Sequence, residues 1–92
     1  MKKILHLNLY RKYFDAIANG TKLFEYRQTT DYWKKRIEDK EYDMIKFRNG
    51  YAKNAPTMLV EYKGYSKVIR TGYGNGEEYE IKLGKIIEVN YE

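Results

Sequence analysis

The sequence contains no cysteine, one proline and one histidine among its 92 residues. Without cysteine the chain can form neither a disulfide nor a thiolate metal site, which suits the reducing cytoplasm where we expect the protein to reside. The histidine, His6, is poor evidence for a metal site by itself, and we expect an ordinary, partly exposed strand residue. We therefore expect neither a metal ion nor another cofactor.

Long apolar runs are also missing. The residues that follow Lys2 and Lys3 lack the sustained apolar run of a signal peptide, and no other segment approaches the length of a membrane span. We expect a soluble protein with no membrane partner. A chain of 92 residues predicts a single domain, residues 1–92, with a small core that is stabilised by packing alone.

Tyrosine and positive charge are abundant. The chain has 11 tyrosines and a net charge of +5. Residues 1–76 carry 16 Lys and Arg against 8 Asp and Glu, whereas residues 77–92 carry 2 against 5. Basic excess with exposed aromatic rings is typical of nucleic-acid binding, since cations hold phosphates and rings stack on bases. The alternative is that the charge serves solubility alone.

The spacing of apolar residues predicts an α+β domain. The predicted order is a strand over 3–9, a helix of about ten residues from Tyr10, a strand over 22–28, a helix over 31–39, a strand over 43–48, an alternating run over 57–70 that is broken at Gly64, and closing runs around Gly84. This order indicates a curved, mostly antiparallel sheet with two flanking helices, and closure into a small β-barrel would remove its exposed edges.

The stretch from Gly20 to Arg27 is the best functional lead. Glu25 and Arg27 lie two apart, so on a strand they point from one face, about 7 Å apart along the chain. Lys22 precedes them and can lean toward them, whereas Phe24 and Tyr26 look like the packed face. The alternative is an exposed ion pair of little energetic value.

Two further features involve aromatic residues. The segment from Thr71 to Gly76 is glycine-rich and predicts a mobile hairpin tip, where Tyr73 is a candidate for stacking on a ligand. Trp33, the single tryptophan, is expected in the core or as its lid. Around it lies a basic surface formed by Lys34, Lys35, Arg36 and Lys40.

The stretch Gly20-Thr21-Lys22-Leu23-Phe24-Glu25-Tyr26-Arg27 resembles the Gly-x-Lys-x-x-Glu-x-Arg signature of the ASCH domain family. The preceding strand and helix, the strand 43–47 and the closing run 81–87 fit the family as well. ASCH domains are similar to PUA domains, which are β-barrels with flanking helices. The resemblance implies a PUA-like barrel with a cleft for RNA or a nucleoside-like ligand.

Some ASCH domains are amidohydrolases that deacylate modified cytidine with a lysine, a threonine three residues later and a separate glutamate. Lys22 matches the lysine, but Glu25 occupies the threonine position. Lysine and glutamate together can still activate water. A metal-independent hydrolase would therefore use Lys22 and Glu25, with Glu61 as a candidate for the separate glutamate.

These observations leave three hypotheses. The first is an RNA-binding module in which Lys22 and Arg27 contact phosphate or base edges, Glu25 orients Arg27 or accepts from a base, and Tyr10, Tyr26 or Tyr73 stacks on bases. The second is an amidohydrolase on a modified nucleoside, or a ribonuclease, that works in the same cleft. The third is a protein-binding or inhibitory domain that uses its basic face.

Overall fold

Residues 3–70 and 76–91 are described by the computed structural model, which has five strands and two helices within these ranges. In chain order they are β1 (Ile4–Asn8), α1 (Arg11–Ala18), β2 (Phe24–Gln28), α2 (Asp31–Ile37), β3 (Met44–Arg48), β4 (Thr57–Ile69) and β5 (Glu77–Asn90). The predicted α+β class is confirmed.

The five strands form one curled, mixed sheet with the order β1-β3-β4-β5-β2. Strands β1 and β3 are parallel, and the other three pairs are antiparallel. The sheet is a half-barrel rather than a closed one, because β1 and β2 are its two edges and do not pair with each other within the described residues. The prediction of a small, mostly antiparallel β-barrel with two flanking helices is therefore confirmed as a curled, barrel-like sheet, whose two edges stay open in the described chain.

The two long strands, β4 and β5, give the sheet its curl. Their register shifts between Leu59 and Val60, between Val60 and Tyr62, and between Tyr62 and Tyr65. Such irregularities bend a strand and increase its twist. The expected breaks at Gly64 and Gly84 are therefore irregularities within continuous strands.

The core lies between the concave face of the sheet and the two helices. It combines leucines of β1, the inward residues of β3, β4 and β5, and one or two residues of each helix, namely Leu5, Leu7, Leu9, Phe14, Ile17, Ile37, Ile45, Phe47, Met58, Val60, Tyr79 and Ile81. Trp33 is partly buried against this cluster, as expected of a core lid.

Helix α1 begins one residue later than its apolar spacing predicts. Phe14 and Ile17 are buried, but Tyr10 precedes the helix and is 80% exposed. At the other end Gly20 has a φ of 85°, and its N–H donates to the carbonyl of Ile17 at 3.1 Å. This left-handed turn ends the helix and directs the chain toward β2.

The orientation of β2 is the reverse of the one expected. Glu25 is buried at 7% exposure, whereas Phe24 is 37% exposed. Alternation correctly groups Glu25 with Arg27, but the assignment of Phe24 and Tyr26 to the packed face is wrong. The carboxylate tolerates burial because two cations contact it, and the apolar side chains of this short edge strand remain at the surface.

Candidate functional site

A cleft of about 670 Å³ opens between the two edges of the curled sheet. Its walls come from the ends of β1 and β3, the start of α1, strand β2 and the ends of β4 and β5. The described residues that line it are Asn8, Leu9, Tyr10, Arg11, Tyr13, Lys22, Glu25, Tyr26, Arg27, Asn49, Gly50, Tyr51, Arg70 and Glu78.

Glu25 connects two cations in the wall of the cleft. Its Oε1 lies 3.4 Å from Lys22 Nζ, and its Oε2 accepts a hydrogen bond of 2.7 Å from Arg27 Nη2. The side chains of all three residues are largely removed from solvent. The convergence of these residues therefore forms a partly buried ion triad rather than an exposed pair.

Arg27 also joins the two edges of the open sheet. The same Nη2 donates to the backbone carbonyl of Asn8 at 2.9 Å, so a β2 side chain satisfies an edge group of β1. On its other side the guanidinium lies 4.9 Å from the centre of the Trp33 ring. These contacts hold the planar guanidinium of Arg27 in one orientation.

Lys22 lies among tyrosine rings. Its Nζ is 5.8 Å from the ring centre of Tyr13 and 5.2 Å from that of Tyr26, within the range of cation–π attraction. The turn after α1 places it there, since Lys22 N–H and Thr21 N–H both donate to the carbonyl of Ala16 at 3.0 Å.

The opposite end of the cleft carries a second ion pair. Arg70 Nη1 lies 3.0 Å from Oε1 of Glu78, which is buried, and the Arg70 guanidinium stacks 3.9 Å from the centre of the Tyr26 ring. The Tyr26 hydroxyl donates to Glu80 at 2.9 Å. Burial first, and this bond second, raise the pKa of Tyr26. Tyr26 therefore stays neutral and packs as an aromatic plane between two cations.

Three buried polar side-chain atoms without a hydrogen-bond partner among the described residues belong to the cleft wall, and one of them, Glu78 Oε1, lies 3.0 Å from the Nη1 of Arg70. The other two, Asn8 Oδ1 and Arg27 Nε, have no hydrogen-bond partner within residues 3–70 and 76–91. One is an acceptor and the other a donor, and buried groups of this kind are normally paired. A polar ligand group or a bound water that meets both atoms would offset the cost of burying them.

The structure brings together most of the predicted site residues, with two exceptions. Lys22, Glu25, Arg27, Tyr10 and Tyr26 all line the cleft. Tyr73 lies outside the described residues.

Glu61 is not among the described residues of the cleft wall. Its carboxylate accepts from the Lys85 N–H at 2.9 Å and lies 3.9 Å from Lys63 Nζ. It therefore binds the neighbouring β5 backbone.

The sequence analysis did not predict several of the residues that line the cleft. Arg11 and Tyr13 belong to α1, Arg70 follows β4, and Asn8 ends β1. Tyr51, which is 87% exposed, follows the Asn49-Gly50 turn, and a large aromatic side chain directly after such a turn was a usable signal. Arg70 is far in sequence from Asn8, Arg11 and Tyr13, and it meets them at the cleft only through the tertiary fold.

Other searches of the described residues found little. They contain no group of three or more His, Cys, Asp or Glu side chains placed to share a metal ion. Neither helix among them is long and apolar enough to cross a membrane. Comparison with family models, with curated proteins and with solved structures gives no match.

Proposed function

We propose that the cleft binds nucleic acid, and RNA in particular. The observation that carries the proposal is the composition of the cleft wall. Its described residues include four cations, Arg11, Lys22, Arg27 and Arg70, against two carboxylates, together with four tyrosines. A positive, tyrosine-lined groove offers phosphate contacts and stacking planes at once.

Three of the four cations divide into two groups by their environment, and the fourth, Arg70, is paired with Glu78. Arg11 is exposed and pairs with Asp15 on α1, and Lys22 has one carboxylate contact at 3.4 Å, so both suit phosphate. Arg27 is held by the Trp33 ring and by two hydrogen bonds from its Nη2, and its buried Nε lacks a protein partner among the described residues. Arg27 and Asn8 therefore suit the edge of a base, where donors and acceptors alternate.

The resemblance of Gly20–Arg27 to the ASCH signature supports the same proposal, because that family's PUA-like cleft is suited to RNA or nucleosides. Lys22, Glu25 and Arg27 converge on one cleft in this chain. A PUA-like relationship of the half-barrel is part of the proposal.

Replacement of Lys22 by alanine tests the phosphate contact. We expect Lys22→Ala to weaken binding of a six-nucleotide RNA about tenfold, and to lower the slope of log Kd against log salt by roughly 0.7, as the loss of one phosphate contact requires. Fluorescence anisotropy at several salt concentrations measures both quantities. Lys22→Arg retains the charge and should retain the slope.

Lys85→Ala is the matched control, because it removes the same charge from an exposed residue of β5 that is not among the described residues of the cleft wall. Equal losses of RNA affinity for Lys22→Ala and Lys85→Ala would mean that Lys22 contributes only general positive charge and that the cleft is not a specific binding site. Failure of the wild-type protein to bind RNA or DNA at low salt would refute the proposal.

The alternative function is a hydrolase that works in the same cleft, and the contact between Lys22 and Glu25 is the observation that favours it. Each oxygen of Glu25 already contacts a cation, so its first role is to hold Lys22 and Arg27 in place. Incubation with acylated cytidine and with RNA distinguishes the two functions. Turnover by the wild type that Glu25→Gln abolishes would establish an enzyme, whereas no turnover with intact RNA binding supports a binding module.

A further inference from the structure

Helix α2 presents an exposed aromatic and basic surface next to the cleft. Tyr32, Lys35 and Arg36 fall at positions i, i+3 and i+4, so they share one side of the helix. All three are exposed, and Tyr32 is 56% exposed. These three residues are called the α2 face below.

The α2 face is ordered by its own contacts. The Arg36 guanidinium stacks 3.6 Å from the centre of the Tyr32 ring, and its Nη1 donates to the Tyr32 carbonyl at 2.8 Å. Cations in the last turn of a helix complement its dipole, which accounts for the charge of this turn. That effect does not account for an exposed tyrosine with a guanidinium held over its ring at 3.6 Å.

A continuous series of ring contacts joins the α2 face to the cleft. The rings of Tyr32 and Trp33 meet edge to face at 4.9 Å, and the Trp33 ring also lies 4.9 Å from the guanidinium of Arg27, which lines the cleft. Trp33 and Arg27 therefore link the α2 face to the cleft. A strand that leaves the cleft past Arg27 meets Trp33 and then Tyr32 with Arg36.

We propose that the α2 face is a second nucleotide subsite, so that the ligand is a single strand of several nucleotides rather than a single nucleotide. The inference rests on the proposed function of the cleft. A base stacks on the Tyr32–Arg36 pair, and Lys35 contacts the adjacent phosphate. The pair is already stacked in the free protein, so less conformational freedom is lost on binding.

The test compares one nucleotide with six. Binding of uridine monophosphate and of a uridine hexanucleotide is measured for the wild type and for the variants Tyr32→Ala, Arg36→Gln and the control Lys85→Ala. The deoxythymidine hexanucleotide in parallel separates RNA from DNA. The deciding quantity is the ratio of the mononucleotide Kd to the hexanucleotide Kd, because a variant that merely damages the cleft changes both values.

We expect Tyr32→Ala and Arg36→Gln each to lower this ratio about tenfold, as the loss of a stacked base predicts, with no change in mononucleotide binding. These variants should still bind the hexanucleotide more tightly than the mononucleotide, because a longer strand can occupy the cleft in several registers. Arg36→Gln keeps a long polar side chain and a good helix former, so its result stands even if Tyr32→Ala unfolds the helix.

An unchanged ratio in both variants would overturn the α2 subsite while leaving the cleft intact. A weaker mononucleotide Kd with an unchanged ratio would also overturn it, since the variants would then act on the cleft. Binding of neither ligand by the wild type would refute the proposed function itself. If Lys85→Ala lowered the ratio as much as Arg36→Gln does, the effect of Arg36→Gln would be one of general charge, and the α2 subsite would be refuted.

Discussion

Glu25 occupies a position in β2, opposite Ile81, where an apolar side chain would be ordinary. Its burial is possible because Lys22 and Arg27 neutralise it on its two oxygens. The carboxylate in turn reduces the repulsion between the two cations and orients Arg27 toward Asn8. At the scale of single residues, Glu25 therefore organises the cleft by holding the two cations in place, and in the proposed function the cations contact the ligand.

This role predicts the behaviour of Glu25→Gln. The amide still accepts from Arg27, but the charge that offsets the two cations is gone. We expect the free energy of unfolding to fall by about 1–3 kcal/mol, as the loss of a charged hydrogen-bond acceptor predicts. RNA affinity should rise several-fold, because the cleft becomes more positive. Denaturant titration and anisotropy measure the two effects.

Glu88→Gln is the matched control, since Glu88 is exposed on β5 and its replacement removes the same charge. Only Glu25→Gln should combine lower stability with tighter binding. Weaker RNA binding by Glu25→Gln would contradict this prediction. It would mean that the carboxylate itself accepts a hydrogen bond from an amino group of a base.

The limits of sequence reasoning also show at Glu25 and its neighbours. Alternation placed Glu25 and Arg27 together, and the short turn after Gly20 placed Lys22 beside them. Which face of β2 is buried was predicted wrongly, because the choice depends on partners such as Asn8 and Trp33 that lie far away in sequence. Local periodicity contains no information on such contacts.

At the scale of elements, a polar cluster adds to the core contacts of Ile37 and Trp33 in holding α2 against the sheet. Glu38, which follows the helix, accepts at Oε2 from the Tyr79 hydroxyl at 2.6 Å and lies 2.9 Å from Lys67 Nζ. The Tyr79 bond first, and Lys67 second, hold the pKa of Glu38 below its ordinary value. Tyr79 is itself buried, and its pKa is raised chiefly by that burial. The cluster connects α2 to β4 and β5.

The lowered pKa gives a pH dependence of known sign. Because Glu38 is more acidic in the folded state, its stabilisation is present above its unfolded pKa and is lost as the pH falls through the folded pKa. We expect Glu38→Gln to lower the Tm at pH 7. The difference from the wild type should narrow below about pH 4. Thermal unfolding followed by circular dichroism from pH 3 to pH 7 measures this trend.

Glu41→Gln removes the same charge from an exposed residue nearby and serves as the control. A Tm difference for Glu38→Gln that is constant across this pH range would show that the cluster acts by packing and not by charge.

At the scale of the whole molecule, the cleft exists because the sheet is curled but open. The edges β1 and β2 are unpaired with each other in the described chain, and Arg27 connects them with one side chain. The elements and the α+β class follow from the sequence, because periodicity is local. The parallel pairing of β1 with β3 and the openness of the sheet do not follow from the sequence. Both depend on contacts between distant segments, such as the register pair Ile4 and Met44, which are about 40 residues apart.

The outer face of the sheet offers the competing surface for nucleic acid. His6 and Lys46 are register partners there, both are exposed, and Arg48 lies nearby on the same strand. Net charge alone does not distinguish this face from the cleft. The tyrosines and the buried Nε of Arg27 do, because they belong to the cleft, whereas Asn8 lines both surfaces.

The most direct measurement of the central claim is a map of backbone amide chemical shifts while a uridine hexanucleotide is added at low salt. If the cleft binds RNA, the largest shift changes should fall on Lys22, Glu25, Arg27 and Tyr51, with smaller ones on α2. Changes concentrated on His6 and Lys46, or no changes at ligand concentrations up to about 1 mM, where even weak non-specific binding would register, would contradict it.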